Sequence, residues 1–195
     1  IIKTNDLLTK INFEYFPDKK ITDDEIIKFY FKIHNVLQEH FGDNNIEEEQ
    51  IFRRNKINLN CKRHFKVFNR FNVIPNFCFN CYKIVISPKN IIELFKIYIV
   101  FDNLKLKNNN IRKCIIELRP NTEGVYKGLI YCSGLEEAEE IFNYVKPILD
   151  TSVNNNLSVI IKRGCTEFAK SYPEYKKIDS SMKYDSSWKD KEKII

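Results

Sequence analysis

The chain has 195 residues, of which 43% are hydrophobic and 30% charged, the composition of an ordinary soluble globular protein that is long enough to bury a core. Its 32 Lys and Arg outnumber its 26 Asp and Glu, and the resulting charge of +6 favours anionic partners such as nucleic acid. No apolar run reaches the roughly 20 residues that span a bilayer, and residues 1–6 lack the apolar stretch of a signal peptide, so we expect a cytoplasmic protein without a membrane anchor.

The sequence predicts that residues 1–60 form a helical N-terminal region. Thr22 and Glu25 have the spacing of a capping box, which predicts a helix that runs to about Phe41 and stops at Gly42. The apolar residues of this helix recur at three- and four-residue spacings and form one stripe: Ile26, Phe29, Tyr30, Ile33, Leu37 and Phe41. We expect that stripe to pack against the C-terminal half of the chain.

Two further helices are predicted before the C-terminal half. Three glutamates at residues 47–49 precede Arg53 and Arg54, and acids early with bases late suit the dipole of a short helix. A third helix is predicted over residues 62–71, because Pro75 prevents it from continuing much further.

Residues 61–81 carry the pattern of a metal site. Cys61-Lys62-Arg63-His64 and Cys78-Phe79-Asn80-Cys81 each place two possible ligands two residues apart, which lets one turn present both to one ion. Four such ligands are typical of a closed, structural zinc site. We therefore predict a zinc ion held by Cys61, His64, Cys78 and Cys81. Two alternatives remain: Cys165 replaces one of the four, or the thiols are ordinary cysteines in a reducing compartment.

Residues 82–165 predict an α+β domain with a ferredoxin-like βαββαβ order, four antiparallel strands and both helices on one face. The strands are expected over residues 82–87, 112–119, 125–132 and 157–163, and the helices over residues 88–104 and 133–149. Ser87 with Pro88, and Ser133 with Glu136, are read as the starts of the two helices. The tail of residues 166–195 holds several aromatic side chains and is expected to wrap the domain.

Strand alternation predicts a basic sheet face directed away from the helices. It places Tyr82, Ile84 and Ile86 inward. The residues predicted to bind an anionic ligand on the other face, beside Glu117, are Lys83, Lys113, Arg119, Lys127, Tyr131 and Lys162. Basic side chains around an aromatic ring suit phosphate contacts and base stacking. Such a face could instead dock a protein, be covered by the N-terminal helices, or be simply solvated.

The segment Lys127-Gly128-Leu129-Ile130-Tyr131-Cys132 resembles the third-strand motif of RNA-recognition-motif domains, and Leu135-Glu136-Glu137-Ala138 is similar to the start of their second helix. The similarity covers about a dozen residues. Leu129 stands where that motif has a stacking aromatic, and Ile130 where it has a small residue. The resemblance implies RNA binding through the sheet.

Catalytic motifs are scarce in this sequence, which contains no Gly-rich phosphate loop, no His-Glu-x-x-His and no nucleophile elbow. The sequence therefore favours a module that binds RNA or single-stranded nucleic acid, with a protein-interaction or regulatory protein as the alternative. A less favoured reading is an enzyme for an anionic substrate built on Glu117, Arg119 and Cys165.

Overall fold

A computed structural model describes residues 11–41, 50–55, 57–117, 124–178 and 182–195. In these ranges the protein is α+β, with seven α-helices and a five-stranded antiparallel sheet. In chain order the elements are α1 (Asp23–Phe41), β1 (Gln50–Arg54), α2 (Cys61–Phe71), α3 (Asn76–Phe79), β2 (Tyr82–Ser87), α4 (Ile91–Asn103), β3 (Arg112–Ile116), β4 (Tyr126–Cys132), α5 (Leu135–Ser152), β5 (Ser158–Arg163), α6 (Thr166–Ser171) and α7 (Lys189–Lys193). Across the described ranges, none of the helices has the length and apolarity needed to cross a bilayer.

The sheet has the strand order β1-β3-β4-β2-β5. Strand β2 lies between β4 and β5, so that Tyr82 pairs with Cys132 on one side and with Arg163 on the other. The predicted sheet had four strands, and the observed one differs because β1 pairs with the free edge of β3.

Strand β1 corrects the prediction of a second helix ending at Arg53 and Arg54. Residues 50–54 form a strand instead, while residues 42–49 lie outside the described ranges. Phe52 packs edge-on against the ring of Tyr98 at 4.7 Å, and Arg54 forms an ion pair with Asp102 at the end of α4. Charges matched to a helix dipole contribute only about 0.3–1 kcal/mol each, so pairing with β3 and these contacts override them.

The main core lies between the sheet and helices α4 and α5. Tyr82, Ile84 and Ile86 of β2 are buried in it, which confirms the predicted inward face. Gly128 lets β4 approach α4, since an added Cβ would lie 2.9 Å from Ile97. Helix α1 packs on α4 as predicted, because its Phe29 joins the core.

Three helix starts are predicted from capping residues, and the structure confirms one of them and differs at two. Thr22 and Glu25 form the predicted capping box, with the Thr22 amide donating to Glu25 at 2.8 Å. Helix α4 begins three residues beyond Pro88, where Asn90 accepts a hydrogen bond from the amide of Glu93. At α5 the backbone and hydroxyl of Ser133 donate to Glu137, one residue beyond the predicted Glu136.

A second, smaller core joins α2 and α3 to the C-terminal tail. Its buried members are Phe68, Ile74, Cys78, Phe79, Phe168 and Tyr175, and Tyr172, Tyr184 and Trp188 pack around them. This confirms that the tail packs on the rest of the chain and that a third helix ends at Phe71. Residues 61–81 and the tail both lie beside one end of the sheet, where Cys81 accepts a hydrogen bond from Gly164 and the tail contacts β5.

Candidate functional site: a basic sheet face and a thiol cluster

The sheet face opposite α4 and α5 carries a row of three side chains in register. Lys83 of β2 pairs with Tyr131 of β4 on one side and with Lys162 of β5 on the other. The Nζ of Lys83 lies 5.2 Å from the centre of the Tyr131 ring, and the Nζ of Lys113 lies 5.6 Å from the same centre. Two ammonium groups thus share one aromatic ring.

Two of the predicted ligand-binding residues, Lys127 and Lys162, have polar partners within the protein. Lys127 lies 3.7 Å from the carboxylate of Glu117, a buried residue, so part of its charge is neutralised within the protein. Lys162 donates a hydrogen bond to the hydroxyl of Thr166. Arg119 lies outside the described residues.

This face is more enclosed than a bare sheet. Ile115 and Leu129 should point outward by strand alternation, yet they are only 7% and 8% exposed. Lys83, Lys113 and Tyr131 are half-buried. A ligand would therefore meet a basic surface on which Tyr131 is only partly exposed.

Four thiols gather at the end of this face where β2 begins and β5 ends. Cys61 is the first residue of α2, Cys78 lies in α3, Cys81 directly precedes β2, and Cys165 follows β5. In every pairing of these four residues, one thiol acts electrostatically on the pKa of the other. All six cysteines of the chain are free thiols.

The pKa values of three of these thiols are raised. Burial is the main cause at Cys78 and Cys81, and the neighbouring thiols add to it. The pKa of Cys81 is raised to about 11 even though the charge of Lys83 opposes the shift. Burial also raises the pKa of Cys61, with Cys165 as the next contributor. In the free protein these three thiols are protonated at neutral pH, and as thiols they are poor nucleophiles.

The structure brings three of the four predicted zinc ligands together and places His64 elsewhere. The imidazole of His64 stacks on the ring of Phe77 at 5.2 Å. Burial lowers the pKa of His64, followed by the charge of Arg63, while Glu192 opposes both. Cys165 is the thiol that completes the cluster. It lies too far along the chain from Cys81 for a short ligand spacing to connect the two residues.

The side chains as they stand do not surround an ion. Among the residues that the structure describes, no three His, Cys, Asp or Glu side chains converge closely enough to hold a metal ion. The four thiols are near one another but do not form a closed coordination shell.

The three residues of the alternative enzyme hypothesis form a less complete site than the basic sheet face or the thiol cluster. Glu117 is 5% exposed and close to Lys127, Arg119 lies outside the described ranges, and Cys165 belongs to the thiol cluster. Comparison of the whole chain with protein-family models, with curated proteins and with solved structures finds no match.

Proposed function

We propose that this protein binds RNA or single-stranded nucleic acid on the sheet face formed by Lys83, Lys113, Tyr131 and Lys162. The proposal rests on one observation. The Nζ atoms of Lys83 and Lys113 both lie within 6 Å of the centre of the Tyr131 ring. Ammonium groups pair with phosphates, and an aromatic ring between them offers a surface to an unpaired base.

The limited exposure of Tyr131 favours a single strand over a duplex. Tyr131 is half-buried and Leu129, two residues earlier on the same face, is buried, so little of the ring is open to the rigid surface of a double helix. A strand with splayed bases can insert one base edge while its phosphates meet the lysines. The net charge of +6 adds a general attraction for such a polyanion.

The proposal also covers the fold and the location of the protein. We infer that residues 82–163 are a ferredoxin-like βαββαβ unit to which β1 adds an edge strand. The alternation of strands and helices along these residues and the antiparallel pairing of β2 with both β4 and β5 support this. The six free thiols support a reducing compartment such as the cytoplasm.

The test is fluorescence anisotropy with a labelled single-stranded RNA over a range of salt concentrations. Lys113→Gln should weaken binding and flatten the plot of log affinity against log salt by about 0.7, the share of one phosphate contact on a single strand. Tyr131→Leu should weaken binding while leaving that slope unchanged, since it removes stacking and no charge.

The control is Lys28→Gln, because Lys28 is exposed on α1, which packs on α4 on the opposite side of the sheet. This variant should bind like the wild type apart from a small effect of net charge. Absent or salt-independent binding by the wild type would overturn the proposal and move support to a protein partner.

A further inference from the structure

We propose that Cys61, Cys78, Cys81 and Cys165 together bind one structural Zn²⁺ ion, with Cys165 in place of His64 as the fourth ligand. Zinc accepts four thiolates in a tetrahedral arrangement, and such closed sites stabilise folds rather than catalyse reactions. The proposal is independent of nucleic-acid binding.

The first pair of ligands comes from one tight turn. Cys78 and Cys81 are separated by two residues, and the amide of Cys81 donates to the carbonyl of Cys78 at 3.2 Å. This turn joins α3 to β2, so β2 fixes its position. A two-residue spacing within a turn is typical of two thiolates that ligate the same ion.

The third ligand is brought to that turn by the sheet. The amide of Gly164 donates to the carbonyl of Cys81 at 2.7 Å, which extends the β2–β5 pairing beyond Arg163. Gly164 has a φ of 53°, and an added Cβ would lie 1.9 Å from the Tyr175 hydroxyl. Glycine is therefore required at this turn, which directs the chain from β5 to Cys165 beside Cys81.

The fourth ligand is brought in by the second core. Cys61, Phe65 and Phe68 lie on one face of α2, since they are four and three residues apart along the helix. The rings of Phe65 and Phe68 pack on Phe168 of α6 at 5.5 Å and 4.7 Å. Because α6 begins directly after Cys165, this packing draws the start of α2 towards that thiol.

The charge around the cluster matches an anionic metal centre. Zn²⁺ with four thiolates carries a net charge of about −2, which needs nearby cations when it is withdrawn from water. Lys83 donates a hydrogen bond to the Sγ of Cys165 at 3.4 Å, and Lys83 and Lys113 both act electrostatically on Cys61. Within the described ranges, no carboxylate forms an ion pair with Lys83.

The binding step needs no oxidant. Each thiol gives its proton to solvent and forms a sulfur–zinc bond, so four protons are released for each ion bound. The side chains rotate until the four sulfur atoms lie about 2.3 Å from the ion.

The test begins with the metal content of protein purified in reducing buffer without added zinc. We expect about one zinc per chain in the wild type and in His64→Asn, and loss of zinc in Cys165→Ser. Cys114→Ala is the matched control, since Cys114 is buried in the main core and no thiol of the cluster acts on its pKa. It should keep its zinc.

A second measurement does not depend on the folding of any variant. Co²⁺ exchanged into the wild type should give the visible absorption of tetrahedral cobalt with four thiolates. A spectrum of three thiolates and one nitrogen, together with loss of metal in His64→Asn, would overturn the assignment of Cys165. A reduced wild-type protein that takes up neither Zn²⁺ nor Co²⁺ would overturn the site altogether.

Discussion

The Nζ of Lys83 lies 3.4 Å from the Sγ of Cys165, while the same ammonium faces the ring of Tyr131 at 5.2 Å. This one side chain therefore joins the thiol cluster to the basic sheet face. Its position in the centre of the row on β2 makes it a neighbour of both proposed ligands, the metal ion and the nucleic acid.

Substitution of Lys83 by Met should weaken both kinds of binding. Removal of a partner that hydrogen-bonds to a metal ligand typically lowers metal affinity about 10–100-fold. We expect a loss of this size for zinc, measured by competition with a chelator in reducing buffer, together with weaker binding of single-stranded RNA.

Lys28→Met provides the control for Lys83→Met, because it removes an exposed ammonium from α1. It should leave zinc affinity unchanged. Equal zinc affinity in both variants and the wild type would show that Lys83 does not support the metal site.

The sequence predicts those features that depend on neighbours along the chain. Alternation in β2 correctly separates Tyr82, Ile84 and Ile86 from Lys83, because successive side chains of a strand point to opposite faces. The capping box of Thr22 and Glu25 is equally local. These signals need no knowledge of what packs nearby.

Features that depend on distant segments are missed. Residues 50–54 form β1 only because the edge of β3 is available, which their own charges do not indicate. Alternation places Ile115 and Leu129 on the outer face but does not indicate that they are buried there. Cys165, which the sequence offers only as an alternative ligand, is brought to Cys81 by the β2–β5 pairing, whereas His64 has the expected spacing but stacks on Phe77.

The turn at Gly164 should be highly sensitive to a methyl group. Gly164→Ala places a Cβ at positive φ and against the Tyr175 hydroxyl, which itself donates to the carbonyl of Cys78. Positive φ costs an alanine about 1–2 kcal/mol, and overpacking adds about 1–3 kcal/mol. The free energy of unfolding from urea denaturation should fall by the sum of the two effects.

Gly124→Ala separates the two contributions. Gly124 also has a positive φ, of 76°, but among the described residues its added Cβ would meet only the side chain of Lys127, at 3.8 Å. In this variant the free energy of unfolding should fall only by the cost of the positive φ. Equal losses in the two variants would show that Tyr175 moves aside without cost.

The free energy of unfolding should fall at acid pH, partly because Glu137 becomes protonated. Burial opposes the charge of this carboxylate, but hydrogen bonds from Ser133, Asn108 and Asn110 outweigh it and lower the pKa of Glu137 from 4.5 to about 2. A carboxyl with a depressed pKa in the folded state stabilises the fold at pH values above its unfolded pKa. That contribution is lost as the pH falls from about 4.5 towards 2.

Urea denaturation at a series of pH values checks this dependence. Glu137→Gln should unfold at a lower urea concentration than the wild type at pH 7, and the difference should shrink between pH 4.5 and 2 because protonation removes the same charge from the wild type. Glu136→Gln is the control, since Glu136 is the exposed neighbour on the first turn of α5. Glu136→Gln should show the same dependence of stability on pH as the wild type. If the difference between Glu137→Gln and the wild type stays constant over this range, the loss of stability comes from the shape of the side chain rather than its charge.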